Sequence, residues 1–377
     1  MAEKKIKGTN KRNTFFQGAG KLIIGICGIA GLMAAFLCSV CPLINPSTFV
    51  WTAFFGLAFW MIFFGNIIIL IILISLKSRR TLLIPILALM LSIPGFMKSY
   101  SFGESNQQEH TVKIMTYNIC VFRDYKIQSR KVSEVKQSLV KLVKEQDPDI
   151  LCLQESGKWP NNTAMEFSKM IGYKYYSVNK NNGNSYFSKF PLENVNSFEN
   201  ENISKFADIK KVNINKNDSF YLVNCHFNSF GISSEEIEYI NDTKNIVKDS
   251  EIYGKSLITK LTKGFKIRTK NTKLLLDKLP DDDLPLIICG DFNDTPLSYT
   301  YNQMANAGLN DAFITVSKGI GKTYCGSLPL LRIDYFWYNN QVDIIDYKRI
   351  KQTTSDHYPL IMSFNIKQEE EKIGEEQ

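Results

Sequence analysis

The sequence predicts an α/β protein with sheets at its core, joined to an apolar N-terminal region. Short, wholly apolar runs at residues 150–153 and 286–289 are typical of strands buried on both faces. Between these runs, residues 130–146 place their apolar side chains at helical spacing. Strand, helix, strand and then further strands indicate sheets covered by helices. At 377 residues the chain has room for more than one domain.

The first 98 residues read as a membrane region. Residues 22–44 and 49–76 are free of charge and apolar, and each exceeds the roughly 20 residues that a spanning helix requires. Residues 81–97 form a third candidate at the lower limit of length, interrupted by Pro85 and Pro94. We therefore predict about three transmembrane helices; a buried core helix is the alternative, chiefly for the third.

Charge gives this region an orientation. Residues 1–98 hold ten lysines and arginines against one acid, Glu3, so their net charge is +9. Because the whole chain has a net charge of +8, the remaining residues have a net charge of −1. Basic residues before the first span and at 77–80 favour the cytoplasm. Three crossings then place the chain after Lys98 on the outer side of a membrane, and two would return it to the cytoplasm. The Lys-, Asn- and Ile-rich composition favours a bacterial inner membrane.

The near-neutral remainder argues against binding of duplex nucleic acid, which usually needs a basic face. The eight cysteines show no zinc spacing, although a pairing among Cys152, Cys225 and Cys289 stays open. We divide the chain into a membrane region (1–98), a polar linker (99–110), a catalytic domain (111–366) and an acidic, disordered tail (367–377).

The predicted elements of the catalytic domain follow in order. Residues 256–279 form a helix rich in lysine, with Arg268 among them; a solvated face is the default, and a patch for phosphate or anionic headgroups is the alternative. Besides this helix and the one at 130–146, we predict strands at residues 112–118, 150–153, 186–192, 220–227, 286–289, 332–337 and 360–365.

The stretch Gly290-Asp291-Phe292-Asn293 follows a buried strand. Alternate residues of a strand share a face, so Asp291 and Asn293 should project together. A carboxylate can hold a proton and a carboxamide can donate to an oxyanion, which suits water activation beside a phosphate. An Asx turn that caps the strand is the alternative.

Other polar residues stand at predicted strand ends. Glu155 ends the strand 150–153, and His226 lies near the end of the strand 220–227. Asp334, among aromatic residues, requires a partner, and His357 is the candidate. The sum indicates one metal held by carboxylates, an acid–histidine pair and polar donors, which together suit attack of water on a phosphoester.

At this point the chain resembles the endonuclease/exonuclease/phosphatase superfamily, from about Val112 to Asn365. The motifs that carry the resemblance are Thr116-Tyr117-Asn118, Asp149 to Glu155, Asn224-Cys225-His226, Gly290 to Asn293, Arg332 to Tyr335 and Ser355 to Pro359. The resemblance implies a four-layer α/β sandwich in which two packed sheets are flanked by helices.

The resemblance also implies roles. Glu155 would be the main Mg²⁺ ligand, with Mn²⁺ as a substitute, and Asp356 would complete or support the metal site. Asp334 would orient His357, and Asp291 would position or deprotonate the water. Asn118, Asn293 and His226 would bind phosphoryl oxygens.

From this resemblance and the apolar N-terminal region we expect a membrane-anchored, Mg²⁺-dependent phosphoesterase that acts on a diester or a monoester. Attachment to a membrane favours lipid headgroups as the substrate, as in sphingomyelinases. An extracytoplasmic nuclease is one alternative, and an inactive membrane-bound binding module is another. We predict no stable protein partner.

Overall fold

The chain divides into two compact units. In the computed structural model the described residues are 2–367, without 107, 111, 125–126, 128, 158, 160–161, 196–204, 232–249, 327–329 and 352. The first unit comprises Met1–Lys98 together with Pro296–Tyr299, and the second comprises the rest. The predicted acidic tail, apart from Lys367, lies outside the described residues.

The first unit is helical, but the prediction of about three spanning helices is wrong. Among the described residues one unbroken helix, Gly20–Leu43, is both long and apolar enough to cross a membrane, and there are at most two spans if a bent pair of helices counts as one. The second predicted span is a pair of helices bent by 68° at Ala58, and the third is a shorter apolar helix of 17 residues. Hydropathy reports an apolar run but not a break in the helix, and the break is what changes the number. The helices are α1 (Ala2–Val40), α2 (Trp51–Leu57), α3 (Phe59–Ser75) and α4 (Leu83–Ser99).

Four residues from far along the chain complete this first unit. The Cys41 thiol donates to the carbonyl of Leu297 at 3.0 Å. The side chain of Leu297 is buried with Cys38 and Phe59 in one apolar cluster. The chain therefore enters the N-terminal unit a second time, immediately after the Gly290–Thr295 stretch.

The second unit contains two six-stranded sheets in its described part. One runs β10-β12-β9-β8-β7-β6 and the other β13-β14-β2-β3-β5-β4, each with one parallel pair, β8 with β9 and β2 with β3. A small third sheet pairs β1 with β11. The strands are β1 (Ser101–Phe102), β2 (Val112–Asn118), β3 (Ile150–Gln154), β4 (Tyr175–Val178), β5 (Ser185–Ser188), β6 (Leu192–Asn194), β7 (Ala207–Asn213), β8 (Ser219–His226), β9 (Leu286–Asp291), β10 (Asn310–Asp311), β11 (Lys318–Gly319), β12 (Asp334–Tyr338), β13 (Val342–Arg349) and β14 (Leu360–Ile366).

Helices cover the outer faces of both large sheets. Apolar residues of α5 and α6, such as Leu139 and Phe167, pack on the sheet that contains β2 and β3. Leu275 and Met304, from α7 and α8, pack on the other sheet. The helices of this unit are α5 (Val132–Gln146), α6 (Thr163–Ile171), α7 (Ser250–Leu276), α8 (Tyr299–Asn306) and α9 (Ala312–Val316).

The inner faces of the sheets meet in a central core. Side chains such as Ile114, Cys152, Leu222 and Cys289 are fully buried there, because both faces of their strands are covered. The layer order helix, sheet, sheet, helix confirms the predicted four-layer sandwich. Cys152, Cys225 and Cys289 form no disulfide with one another, which closes the question of a pairing among the core cysteines.

Candidate functional site

The candidate residues converge where strands of both large sheets end. In the parallel pair β8 and β9, His226 lies opposite Asp291. In the antiparallel pair β9 and β12, Asp334 lies opposite the same Asp291. In the other sheet, β2 ends at Asn118 beside Gln154, and Glu155 follows directly. Parallel strands deliver their carboxyl ends to one edge, so the motifs meet there.

Glycine is required at position 290. Its φ is +128°, and a Cβ atom built there would lie 2.0 Å from the carbonyl oxygen of Cys225 on the neighbouring strand. No L-residue with a side chain fits so close an approach at that φ. The glycine before Asp291 thus follows from the tight pairing of β8 with β9.

Asp291 and Asn293 are linked in two ways. The Asn293 backbone N–H donates to Asp291 Oδ1 at 2.8 Å, which is an Asx turn, and Asn293 adopts a φ of +52°. Asn293 Nδ2 also donates to Asp291 Oδ2 at 3.0 Å and to the carbonyl of Phe227 at 3.0 Å. The turn and the shared orientation of the two side chains therefore occur together, although they were alternatives at the level of sequence.

Asp334 and His357 form a buried pair. His357 Nδ1 lies 3.1 and 3.0 Å from the two carboxylate oxygens of Asp334. His357 Nε2 lies 3.7 Å from Asp291 Oδ2. Burial alone would lower the pKa of His357, but the charges of Asp334 and Asp291 outweigh it and raise that pKa well above its usual value.

Glu155 lies between an amide and an imidazole. Asn118 Nδ2 donates to Glu155 Oε1 at 3.1 Å and to Asp291 Oδ2 at 3.0 Å. His226 Nε2 lies 3.3 Å from Glu155 Oε1. Burial opposes ionisation of Glu155, but His226 and Asn118 outweigh it and lower the pKa of Glu155 to about 2. Glu155 is therefore a carboxylate at neutral pH.

His226 Nε2 is a buried polar atom that makes no hydrogen bond of acceptable geometry in the described part of the chain. Its contact with Glu155 is close in distance but is not aligned as a hydrogen bond. Burial lowers the pKa of His226, whereas Glu155 and Asp291 raise it, and the net shift is upward. An imidazole held this way is suited to receive a further partner, such as an oxygen of a bound anion.

Asp291 is the most deeply placed acid, with a side chain only 1% exposed. Burial, reinforced by the neighbouring charge of Asp334, raises the pKa of Asp291 to about 6, against the opposing effects of His357, His226 and Asn118. A carboxyl group that titrates near neutral pH can exchange a proton under working conditions.

Asp356 is half-buried beside this group. Its Oδ1 accepts a hydrogen bond from Ser355 at 3.2 Å. Burial, followed by the charges of Asp356 and Glu155, raises the pKa of Cys120 to about 12, so both carboxylates lie within electrostatic range of that thiol. Asp356 therefore lies on the same side of the site as Glu155.

The donor set suits a hard divalent cation. Four carboxylates, those of Glu155, Asp291, Asp334 and Asp356, face two imidazoles, and Mg²⁺ and Mn²⁺ prefer oxygen ligands. Among the described residues, Asp291, Asp334 and His357 offer ligand atoms within 4.8 Å of one another. This trio is not the predicted pair Glu155 and Asp356, and its His357 Nδ1 is already engaged by Asp334.

Two supporting contacts were not anticipated from the sequence. Gln154 Nε2 donates to Asn224 Oδ1 at 2.6 Å and so joins the two sheets below the site. Arg268, expected on a solvated helix face, is fully buried, and its Nε binds Asp294 Oδ2 at 3.2 Å. Two features of the sequence could have indicated this pair: Arg268 is the one arginine among the lysines of its helix, and Asp294 had no assigned role.

A family model described as Endonuclease/Exonuclease/phosphatase family matches residues 115–357. A second, described as Domain of unknown function (DUF8431), matches residues 20–100. No curated protein sequence matches the chain significantly.

Many solved structures resemble the chain in fold. The human Nocturnin catalytic domain with bound sulfate anion is 18% identical, with 68% of this chain and 94% of that chain covered and a TM-score of 0.47. A functionally unknown conserved protein from Enterococcus faecalis is 16% identical, with 68% and 100% covered and a TM-score of 0.47. A mannosyl-6-phosphatase from Bacteroides thetaiotaomicron is 15% identical, with 68% and 100% covered and a TM-score of 0.44.

Proposed function

Because the chain belongs to the endonuclease/exonuclease/phosphatase family, we propose that it is a metal-dependent hydrolase of phosphoric esters. The observation that carries this proposal is the convergence of Glu155, Asp291, Asp334 and His357, with Asn118 and His226, at one edge of two sheets. Such a set combines carboxylates for a cation with groups that move protons and bind oxyanions.

We assign the cation to Glu155 and Asp356, with Mg²⁺ as the favoured ion and Mn²⁺ as a substitute. A bound divalent ion would neutralise charge on the phosphoryl oxygens. The low pKa of Glu155 supports its assignment, since a ligand must be ionised.

Asp291 is the group that takes the proton of the attacking water. Its pKa of about 6 leaves it mostly ionised at neutral pH yet still a competent base. Asp334 holds His357 by Nδ1, so that Nε2 faces Asp291 and the reacting phosphate. The resulting imidazolium supplies positive charge where negative charge develops in the transition state.

The amides have a second task besides oxyanion binding. Asn118 Nδ2 and Asn293 Nδ2 both donate to Asp291 Oδ2, at 3.0 Å each. They therefore orient the base. Because Asn118 Nδ2 also donates to Glu155 and Asn293 Nδ2 to the carbonyl of Phe227, each amide must exchange one of these bonds to bind a phosphoryl oxygen. His226 Nε2, which has no aligned partner in the described part of the chain, is the more direct donor to a phosphoryl oxygen.

The substrate we favour is the phosphoester of a lipid headgroup. Gly20–Leu43 supports attachment to a membrane, and attachment concentrates the enzyme at lipid substrates. With the lysine-rich end in the cytoplasm, an outer position of the residues after Lys98 requires an odd number of crossings, whereas a second crossing by the bent helix pair would return them to the cytoplasm. A reporter that is active only in the periplasm, fused after Ile366, should be active; silence would place the catalytic part in the cytoplasm.

Activity is tested on the full chain in detergent. We expect hydrolysis of an aryl phosphodiester or phosphomonoester with Mg²⁺, loss of activity in EDTA and recovery on adding Mg²⁺ or Mn²⁺. Activity that survives EDTA would exclude the metal-dependent mechanism. A screen of lipids, nucleic acids and inositol phosphates, with Asp291→Ala as the blank, then identifies the substrate class; a preference for DNA or RNA would replace the lipid proposal.

A further inference from the structure

The second unit holds a cavity that the candidate active site does not use. Its volume is about 640 Å³, and none of the eight candidate site residues lines it. The wall is formed by Tyr100, by residues 317–322 and by the end of β13, with Tyr358 at one side. A cavity of this size accommodates a small molecule or a headgroup.

The cavity carries a concentrated positive charge. Lys318, Lys322, Arg349 and Lys351 line it, and no carboxylate does among the residues that the structure describes. Lys318 pairs with Glu104 at 2.9 Å, but both side chains are largely exposed, and such a pair is weak and easily exchanged. A concave surface with charges of one sign attracts ligands of the other sign.

One residue of the wall has a buried hydroxyl that makes no hydrogen bond within the described part of the chain. Tyr347 lines the cavity, and its Oη is buried without a hydrogen bond to any described residue. Burial raises the pKa of Tyr347, so the phenol stays protonated and can donate. A buried donor without an acceptor costs free energy, which an acceptor atom supplied by a ligand would recover.

Arg349 is held in place at the wall. Its Nη1 donates to the carbonyl of Lys322, and its guanidinium lies 5.3 Å from the centre of the Tyr358 ring. A fixed guanidinium presents its remaining N–H groups as a fork that matches the oxygens of a phosphate.

We propose that this cavity is a second anion site, which binds a phosphate-bearing ligand through Arg349, Lys322, Lys351 and the hydroxyl of Tyr347. The phosphate can belong to an anionic lipid, since Tyr100 directly follows the apolar helix α4 in the chain, or to a soluble phosphate ester. The proposal does not depend on the chemistry assigned to the catalytic residues.

The test measures the unfolding temperature of the full chain in detergent while inorganic phosphate is titrated. Two variants should weaken phosphate binding in the cavity. One is Lys322→Met with Lys351→Met, and the other is Tyr347→Phe, which keeps the ring and removes the hydroxyl. The matched control is Lys266→Met with Lys270→Met, which removes the same charge from exposed positions on α7. His357→Ala alters the candidate active site, so it distinguishes phosphate bound there from phosphate bound in the cavity.

We expect phosphate to raise the unfolding temperature of the wild type and of the control. Loss of two charge-assisted contacts should weaken the apparent affinity about tenfold or more in the lysine variant. Tyr347→Phe should weaken the affinity without lowering the basal unfolding temperature. Equal affinities in all four proteins, or a shift that disappears only in His357→Ala, would overturn the proposal.

Nanodiscs distinguish a phosphate that belongs to a lipid headgroup from one that belongs to a soluble ester. Phosphatidylglycerol discs that stabilise the wild type more than phosphatidylcholine discs, with the difference lost in the lysine variant, identify a lipid headgroup. Equal stabilities in the two lipids, with phosphate binding retained, identify a soluble phosphate ester.

Discussion

Asp291 and Asp334 lie directly opposite each other on the neighbouring antiparallel strands β9 and β12. Two carboxylates so close would repel each other, but His357 contacts both, with Nδ1 at 3.0 Å from Asp334 and Nε2 at 3.7 Å from Asp291. The imidazole is thus the group through which the two acids are coupled, and this arrangement yields the first prediction.

Asp334→Asn should lower the rate of phosphoester hydrolysis by about a hundredfold or more, because His357 loses the charge that orients it. The pKa of His357 should fall, since Asp334 is the largest cause of its rise after the opposing effect of burial. The pH dependence of kcat separates this from a structural defect. An unchanged profile with a reduced rate would contradict the positioning role.

Glu155→Gln should weaken the dependence of activity on Mg²⁺ while the fold is retained. The amide is neutral and isosteric, so the change removes ligand charge but little packing. We expect the Mg²⁺ concentration for half-maximal activity to rise by about tenfold to a hundredfold or more. Glu134→Gln, on the exposed surface of α5, is the control; equal Mg²⁺ requirements in both variants would exclude Glu155 as a ligand.

The stability of the second unit depends on the pair of Arg332 and Asp311. Arg332 Nη1 lies 2.6 Å from Asp311 Oδ2, and both side chains are almost fully buried. Arg332→Met should cost about 3–5 kcal/mol in the free energy of unfolding, because Asp311 is left as an unpaired buried charge.

The double variant Arg332→Met with Asp311→Leu separates pairing from packing. It should recover a large part of that loss, because both charges are then absent. Urea denaturation of the full chain, followed by tryptophan fluorescence, measures the difference. Equal losses in the single and double variants would show that the pair contributes through packing alone.

The metal-free protein should lose stability as pH rises above neutrality. The pKa of His357 is raised in the folded state. Its contribution is therefore complete below the unfolded pKa of about 6.5 and disappears as pH rises through the higher folded value. The unfolding temperature of EDTA-treated protein should fall across this window, and His357→Gln should flatten the slope. A slope unchanged by the substitution would assign the effect to other groups.

The strand ends were predictable because single motifs stand beside apolar runs. Asp291 and Glu155 each follow a strand that is buried on both faces, and such strands are recognisable without knowledge of their partners. That these ends converge was inferred from their positions at strand ends, and the family resemblance then supplied the role of each residue. The pairing of β9 with β12 itself joins residues that are far apart in sequence, so it was not predictable.

Features that depend on tertiary packing were not predictable. Arg268 occurs among lysines on a helix whose outer face is charged, and only the fold turns it inward to Asp294. The predicted number of N-terminal spans was wrong for a similar reason. The hydropathy of the apolar run of 28 residues is visible in the sequence, but the 68° bend between α2 and α3 is not.

The position of Leu297 has a practical consequence for anyone who isolates the second unit. The residue is buried with Cys38 and Phe59, and its carbonyl accepts from Cys41, all of which belong to the N-terminal unit. A fragment that begins at Ser99 would lack those neighbours, and the apolar side chain of Leu297, six positions beyond Asp291, would lose its buried contacts. We expect the exposed apolar side chain to promote aggregation next to the candidate active site. Replacing Leu297 with a polar residue should reduce this aggregation.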